Sequence, residues 1–129
     1  MDLSVRTETF GGDNQAWLGS AHGTSSGRSI TLDKTLFTPA NHYPQGYLRG
    51  GTPVGQVTAT KKFGPYDDAA TDGRQTLVGF VLTPQTFATG GGTDIIAPLY
   101  EHGAIIEANL PIPIDAAGRA DVAGRIWFR

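Results

Sequence analysis

Cysteine is absent from this chain of 129 residues, and a single methionine is present. Without thiols the chain forms neither disulfides nor thiolate metal sites, and cysteine usage says nothing about the redox compartment. Long apolar runs and sustained apolar heptads are also missing, which excludes a transmembrane helix and argues against a coiled coil. The first residues lack a basic region followed by an apolar stretch, so we expect no secretory signal and synthesis in a cytoplasm.

Clusters of positive charge are absent as well. The chain has 10 Lys and Arg residues dispersed among 12 Asp and Glu residues, which gives a net charge of -2. Proteins that bind a nucleic-acid backbone concentrate Lys and Arg on one face or along one segment. We therefore expect no direct contact with nucleic acid.

Glycine and proline are abundant, with 18 and 8 residues. Both are poor helix formers, so this composition favours a loop-rich β fold. A chain of this length fits one domain, which buries roughly two-thirds of the surface that the unfolded chain exposes. The sequence therefore predicts a mostly β domain with a hydrophobic core of its own.

The segment from residue 51 to 82 predicts two strands around a long polar turn. The first strand spans 54 to 61, where β-branched residues are frequent. The chain reversal is predicted from Gly64 to Asp67 and at Asp72-Gly73, which are typical turn residues. The second strand, 77 to 82, is apolar on both faces, and a sheet tolerates this only where both faces are covered. We expect a barrel interior or another subunit to supply the second cover.

Apolar alternation indicates further strands, most clearly from 104 to 110. Prolines and glycines predict loops at 38 to 46 and 83 to 94. Gly103 permits either a hairpin or a bulged continuous strand between its neighbours. The other predicted strands are 29 to 32, 47 to 49, 95 to 100 and 125 to 128.

One short helix is predicted near the C-terminus. Asp115 is a candidate N-cap, residues 116 to 123 can form two helical turns, and Gly124 is placed as the C-terminal stop.

Several short signatures occur in a fixed order along the chain. They are Gly51-Thr52-Pro53-Val54-Gly55, Gly64-Pro65-Tyr66-Asp67, Thr71-Asp72-Gly73, Val78-Gly79-Phe80, Leu99-Tyr100-Glu101-His102-Gly103, Leu110-Pro111 and Gly124-Arg125-Ile126-Trp127-Phe128. Each signature is common by itself, but their order over residues 27 to 129 resembles the lambda-type head decoration proteins, the capsid cement proteins of tailed bacteriophages.

The resemblance implies a structural function in a virion. Proteins of this family bind the outer surface of the expanded phage head as homotrimers, and stabilise it against the pressure of packaged DNA. The resemblance thus implies a small β-barrel or sandwich-like fold with one short C-terminal helix and an extended N-terminal arm. It also implies that the major capsid protein is the partner, and that assembly takes place in the host cytoplasm without a membrane.

Residues 1 to 27 differ in composition from the rest of the chain. Glycine and small polar residues dominate there, and such a segment alone buries too little to offset its ordering entropy. Because it also carries large apolar residues, it is either a flexible linker or an arm that orders on a partner surface. The resemblance implies the arm. We therefore divide the chain into an N-terminal capsid-binding arm, 1 to 27, and a β-rich decoration domain, 28 to 129.

Large aromatic and apolar residues are the candidate contacts. Trp127 is read either as a core residue or as a contact with the capsid or a neighbouring subunit. The predicted capsid contacts are Phe10, Trp17, Leu18 and Trp127. Tyrosines beside prolines or glycines are common at interfaces, although exposed tyrosines are also ordinary. The predicted trimer contacts are Tyr43, Tyr47 and Tyr66.

Residues able to hold a metal or carry out catalysis are scattered. The three histidines, His22, His42 and His102, lack the spacing that places two imidazoles on one helix face. The aspartates at 67, 68 and 72 do not match a calcium loop and are better explained as turn caps. No segment holds a nucleophile, a base and an orienting group together. We therefore predict no enzyme, no catalytic or metal site and no cofactor.

A β-rich carbohydrate-binding module is the alternative function. Such a module would recognise a glycan through the tyrosines and the triple-glycine loop, 90 to 92.

Overall fold

The computed structural model describes residues 15–20, 28–44, 46–87 and 94–129. Within these ranges the chain is mostly β, with one short α-helix, α1 (Ala116–Asp121), as the composition predicts. The strands are β1 (Arg28–Asp33), β2 (Tyr47–Leu48), β3 (Pro53–Gln56), β4 (Phe63–Pro65), β5 (Gly79–Val81), β6 (Gln85–Thr86), β7 (Asp94–Tyr100), β8 (Gly103–Ile105) and β9 (Ile126–Phe128). Among the described residues, no helix has both the length and the apolar character needed to cross a membrane.

Five strands close a small barrel in the order β1-β4-β3-β5-β7. The longest ladder joins β1 and β7 in antiparallel orientation, and a parallel contact between Leu32 of β1 and Phe63 of β4 completes the closure. Inward-facing apolar residues fill the barrel because side chains alternate along each strand. The buried barrel core is Ile30, Leu32, Phe37, Leu48, Val54, Phe63, Val81, Phe87, Ala97 and Leu99. The barrel predicted from the family resemblance is confirmed.

A second apolar core lies between the barrel wall and the C-terminal segment. It is built from the outer faces of β5 and β7, from β8 and β9, from the residues that flank α1, and from the N-terminal residues around Trp17. Its buried members are Trp17, Leu77, Phe80, Leu82, Tyr100, Ile105, Ile114, Val122 and Ile126.

The two cores explain why β5 is apolar on both faces. Val81 points into the barrel and Phe80 points into the second core, and each is 0% exposed. The predicted double cover is therefore present. The barrel interior supplies one side, but the other side is covered by the chain's own C-terminal segment rather than by another subunit, because residues 103 to 128 fold back over β5.

The predicted helix is present, but it ends at Asp121, two residues before the end of the predicted range 116 to 123. The Asp115 side chain accepts a hydrogen bond from the backbone N–H of Gly118 at 2.8 Å, so it caps α1. The last predicted strand, 125 to 128, is observed as β9.

The first of the two turns predicted within residues 51 to 82 is misplaced, whereas the second, at Asp72-Gly73, is observed as a bend in which Gly73 has a φ of 118°. β3 ends at Gln56, the chain turns between Val57 and Lys62, and Phe63–Pro65 form β4 instead of a turn. The glycine at 64 serves packing, since a Cβ there would fall 2.7 Å from the Leu36 side chain. The glycine at 64 is therefore explained by the close approach of β4 to the Leu36 side chain, and not by a chain reversal.

Two other predictions are corrected. The strand predicted from 104 to 110 ends at Ile105 and is followed by a 3-10 helix at Glu107–Asn109, in which the Leu110 N–H donates to the Glu107 carbonyl at 3.1 Å. The predicted loop from 83 to 94 contains β6, which pairs with β2. Residues 88 to 93 of this predicted loop lie outside the described ranges.

Candidate functional site

A small sheet at one side of the molecule combines both ends of the described chain. We call it the terminal sheet; it consists of residues 17–19, β8 and β9. β8 is its centre and runs parallel to β9, with Ala104 opposite Trp127. On the other side of β8, Leu18 forms an antiparallel bridge with Ile105, and the Gly19 N–H donates to the Ala104 carbonyl at 2.9 Å.

The two faces of the terminal sheet have different environments. Side chains alternate along a strand, so Ile126 and Phe128 point toward the second core while Trp127 points away from it. Trp127 is 53% exposed, and among the described residues it shares this exposure of a large apolar side chain with Ile96. The interpretation of Trp127 as a core residue is therefore wrong, and its contact with a partner stays a prediction.

A shallow groove of about 280 Å³ lies beside the Trp127 indole. Small residues leave this space open, and the guanidinium-bearing Arg129 lies at its margin. Its lining residues are Ser20, Gly103, Ala104, Trp127 and Arg129. The His102 ring meets the Trp127 ring edge to face, with centroids 5.8 Å apart, and so supports the indole in its exposed position. This arrangement can hold an apolar group against the indole and an anionic group near Arg129.

Trp17 is placed differently from Trp127. Its ring is 1% exposed and packs against Phe80 and Tyr100, with centroid distances of 6.3 and 5.6 Å. The indole also covers the backbone at Gly51, where a Cβ would come within 3.0 Å of the ring. Trp17 thus anchors the N-terminal segment to its own domain, and the capsid contact predicted for it has no exposed surface in this structure to support it.

The two remaining predicted capsid contacts, Leu18 and Phe10, differ in whether the structure describes them. Leu18 is half-buried against the second core, and Phe10 lies outside the described residues. The described part of the predicted arm, 15–20, therefore packs on the domain, while the division of the chain at residue 27 stays a prediction.

The three predicted trimer contacts do not form one patch around a shared core. Tyr43 packs against Phe87 of the barrel core at 4.9 Å, whereas Tyr66 packs against the second core. The Tyr66 hydroxyl donates to Asp115 Oδ1 at 2.7 Å, and burial together with this carboxylate raises the pKa of Tyr66 well above its usual range. Tyr47 is half-buried on β2. A role for these tyrosines in a trimer stays a prediction.

Polar residues near the predicted turns have structural roles. Asp67 accepts a hydrogen bond from the Ala69 N–H, and Asp72 accepts one from the Arg74 N–H and pairs with its side chain. The His42 ring accepts from the Thr38 N–H at 2.8 Å, and burial lowers the pKa of His42. In the described parts of the chain, no group of three or more His, Asp or Glu residues could hold a metal ion.

Sequence reasoning found Trp127 but missed the residues that surround it. The alternation Ile126, Trp127, Phe128 was a usable signal, since it places Trp127 opposite two core residues. Nothing in the sequence indicates that Ala104 and Ser20 lie beside Trp127, because these neighbours come from segments far apart in the chain.

Comparisons with known proteins do not add a relative to this description. No protein-family model matches the chain, and no curated protein matches it.

Proposed function

We propose that this chain is a structural virion protein that binds the outside of an expanded phage capsid as a homotrimer and cements it against internal DNA pressure. The observation that carries the proposal is the terminal sheet, in which the N-terminal segment lies in the same layer as the exposed Trp127. The order of sequence signatures supplies the family resemblance. The major capsid protein is the proposed partner.

An exposed indole is a suitable anchor for such a contact. Tryptophan is enriched among the residues that dominate interface energies, and these residues fill pockets at the centre of an interface. Trp127 borders a groove that also includes Ser20, the last described residue before 21–27. A partner at this groove contacts the segment from the predicted arm and the C-terminal strand together.

Cementing follows from binding one capsid state in preference to another. A protein that binds the expanded lattice and not the unexpanded one stabilises the expanded state by mass action. A trimer links three modest contacts into one attachment of much higher effective affinity. The proposed mechanism therefore requires binding and geometry, without any chemical step.

A test uses heads assembled from the major capsid protein of the same genome. We expect the full chain to co-sediment with expanded, undecorated heads and not with unexpanded heads. Replacing the exposed anchor, Trp127→Ala, should weaken binding about tenfold or more, since this is the usual loss for an aromatic anchor. Electron microscopy should show added density at the three-fold positions. Absence of binding to expanded heads would refute the proposal.

The second candidate is a carbohydrate-binding module. The exposed Trp127 ring favours it, since an open indole face beside polar groups is a surface on which a sugar ring can pack. Binding on a glycan array that Trp127→Ala abolishes, without binding to heads, would select this candidate.

A further inference from the structure

The hydrogen bonds of the terminal sheet show which way each β9 residue points. The Gly103 N–H donates to the Arg125 carbonyl at 2.9 Å, and the Arg129 N–H donates to the Ile105 carbonyl at 2.8 Å. In a parallel ladder the backbone groups of one residue face one neighbour, and those of the next residue face the opposite side. The backbone of Trp127 therefore faces β8, whereas the backbones of Ile126 and Phe128 face away from it.

The outward-facing edge of β9 has four backbone groups, the N–H and carbonyl of Ile126 and those of Phe128. The Ile126 N–H donates to the Val122 carbonyl at 3.1 Å and is satisfied. Among the described residues, the Ile126 carbonyl and the N–H and carbonyl of Phe128 have no backbone or side-chain partner. We call these three groups the β9 edge.

Short length is one protection of the β9 edge, since β9 has three residues, but other common protections are missing. Natural edge strands avoid pairing with other chains by means of very short length, lysine, proline, bulges or covering elements. The sequence Ile126-Trp127-Phe128 has neither proline nor charge, and its residue types favour strands. Such an edge is a template for another strand.

The side chains beside the β9 edge indicate which kind of strand would bind there. Trp127 presents its apolar ring on the outer face, next to the groove that Arg129 also lines. The ion pairs within the described residues join other side chains and do not include the Arg129 guanidinium. An incoming strand that carries an apolar residue and a carboxylate two residues apart would match both features, because residues i and i+2 of a strand share one face.

We propose that the β9 edge binds an extended, acidic segment of the major capsid protein, which adds to the terminal sheet as an antiparallel strand. This inference rests on the proposed function. In the antiparallel orientation one partner residue exchanges both of its backbone hydrogen bonds with Phe128, and a further N–H of the partner reaches the Ile126 carbonyl. The apolar side chain of the segment packs on Trp127 and its carboxylate pairs with Arg129.

A second copy of this chain is a less suitable occupant. Antiparallel pairing of β9 with β9 of another copy is a two-fold contact, which uses the same surface on both partners. Such a contact forms a dimer and does not build a trimer. The capsid segment has no such restriction, because it is a different chain.

The test compares two substitutions at Phe128. Phe128→Ala and Phe128→Pro both remove the ring that packs against Phe80, but only proline also removes the N–H at the edge and places ring atoms there. Proline at this position removes no hydrogen bond of the internal ladder, because the Phe128 N–H points away from β8. We expect Phe128→Pro to bind expanded heads at least tenfold more weakly than Phe128→Ala. Arg129→Glu should weaken binding severalfold, and more strongly at low ionic strength.

Hydrogen exchange of the wild-type protein provides an independent measurement. On binding to heads, the peptide that contains residues 126 to 129 should gain protection of the Phe128 amide. The Trp127 amide, which lies inside the ladder, should be protected in the free and the bound states. This measurement decides the question if Phe128→Pro fails to fold.

Each outcome has a defined meaning. If the wild-type protein binds heads, but Phe128→Pro binds as well as Phe128→Ala or the Phe128 amide gains no protection, the edge inference is wrong and the proposed function stands. If Phe128→Pro instead abolishes self-association of the free protein, the occupant is a second copy and the inference is also wrong. If the wild-type protein does not bind heads, the proposed function itself fails.

Discussion

The Trp17 indole meets the Tyr100 ring edge to face, with centroids 5.6 Å apart and an interplanar angle of 80°. Tyr100 ends β7 of the barrel, and its hydroxyl accepts a hydrogen bond from the Ala104 N–H of β8 at 3.0 Å. Trp17 therefore packs at the joint between the barrel and the C-terminal segment. Residues 15–20 belong to the arm that the sequence predicts, but through this contact they contribute to the stability of the domain.

The first prediction concerns the two tryptophans. Trp17→Ala should lower the free energy of unfolding by about 3 to 5 kcal/mol, since it removes a fully buried indole and leaves a cavity. Trp127→Ala is the matched control, and it should cost about 1 kcal/mol or less because its ring is half exposed. Urea unfolding followed by circular dichroism measures both changes. Equal losses for the two variants would contradict the placement of Trp17.

Truncation from the N-terminus also tests the structural role of Trp17. A protein that begins at Gln15 retains Trp17 and should unfold at a higher urea concentration than one that begins at Gly27. A protein that begins at Gly27 lacks Trp17 and should be destabilised at least as much as Trp17→Ala. If both truncated proteins were as stable as the full chain, residues 15–20 would contribute nothing to the fold.

The second prediction concerns the glycine under the Trp17 ring. Gly51 has a φ of 89°, and a Cβ there would lie 3.0 Å from three atoms of the indole. Gly124 has a similar φ of 87°, but a Cβ there meets nothing within 4 Å. Gly124→Ala should therefore cost about 1 kcal/mol from backbone strain alone, and Gly51→Ala about 2 to 3 kcal/mol from strain plus crowding.

A double-mutant cycle separates the two contributions at Gly51. In a Trp17→Ala background the crowding is gone, so the cost of Gly51→Ala should fall to that of Gly124→Ala. An unchanged cost in that background would show that the indole does not crowd a Cβ at position 51.

Part of this fold follows from local sequence rules. The apolar-polar alternation of β1 predicts its inward face, and Asp115 predicts the start of α1, because these signals act between near neighbours. The strand apolar on both faces also follows, since Phe80 and Val81 need covers on opposite sides.

The remainder depends on contacts that sequence rules do not see. A Gly-Pro pair is ordinarily a turn signal, yet Gly64 and Pro65 lie in β4 because the Leu36 side chain needs the space of the missing Cβ. Residues 106 to 110 alternate as a strand does, but Glu107–Asn109 form a 3-10 helix instead. The groove at Trp127 is likewise assembled from residues 20, 103 and 129, whose proximity arises from the fold alone.

The third prediction concerns the cover over β5. Phe80→Asp should prevent folding, because it places a carboxylate in a core site that is 0% exposed and whose described core neighbours are apolar or aromatic. Ile96→Asp on β7 is the matched control; that side chain is 71% exposed, so the variant should fold normally. Far-ultraviolet circular dichroism and size-exclusion chromatography of both variants provide the comparison. A folded Phe80→Asp protein would contradict the second core.

The last prediction concerns acid stability at the start of α1. The Tyr66 hydroxyl and the Gly118 N–H both donate to Asp115, and they hold the pKa of this carboxyl below its ordinary value of 3.8. A carboxyl whose folded-state pKa is depressed stabilises the fold above its unfolded pKa and loses this contribution as pH falls through the folded value. The stabilisation from Asp115 is thus complete at neutral pH and disappears in acid.

Tyr66→Phe removes the stronger of these two donors and leaves the ring in place. We expect this variant to be less stable than the wild type at neutral pH, with a difference that narrows once the pH falls below 3.8, because protonated Asp115 has lost its charge in both proteins. Urea unfolding from neutral pH to about pH 2 measures this difference. Tyr43→Phe, which removes a hydroxyl at the barrel core, is the control and should show a difference that does not follow this titration. A Tyr66→Phe difference that stays constant into acid would show that the hydroxyl does not act through the Asp115 carboxylate.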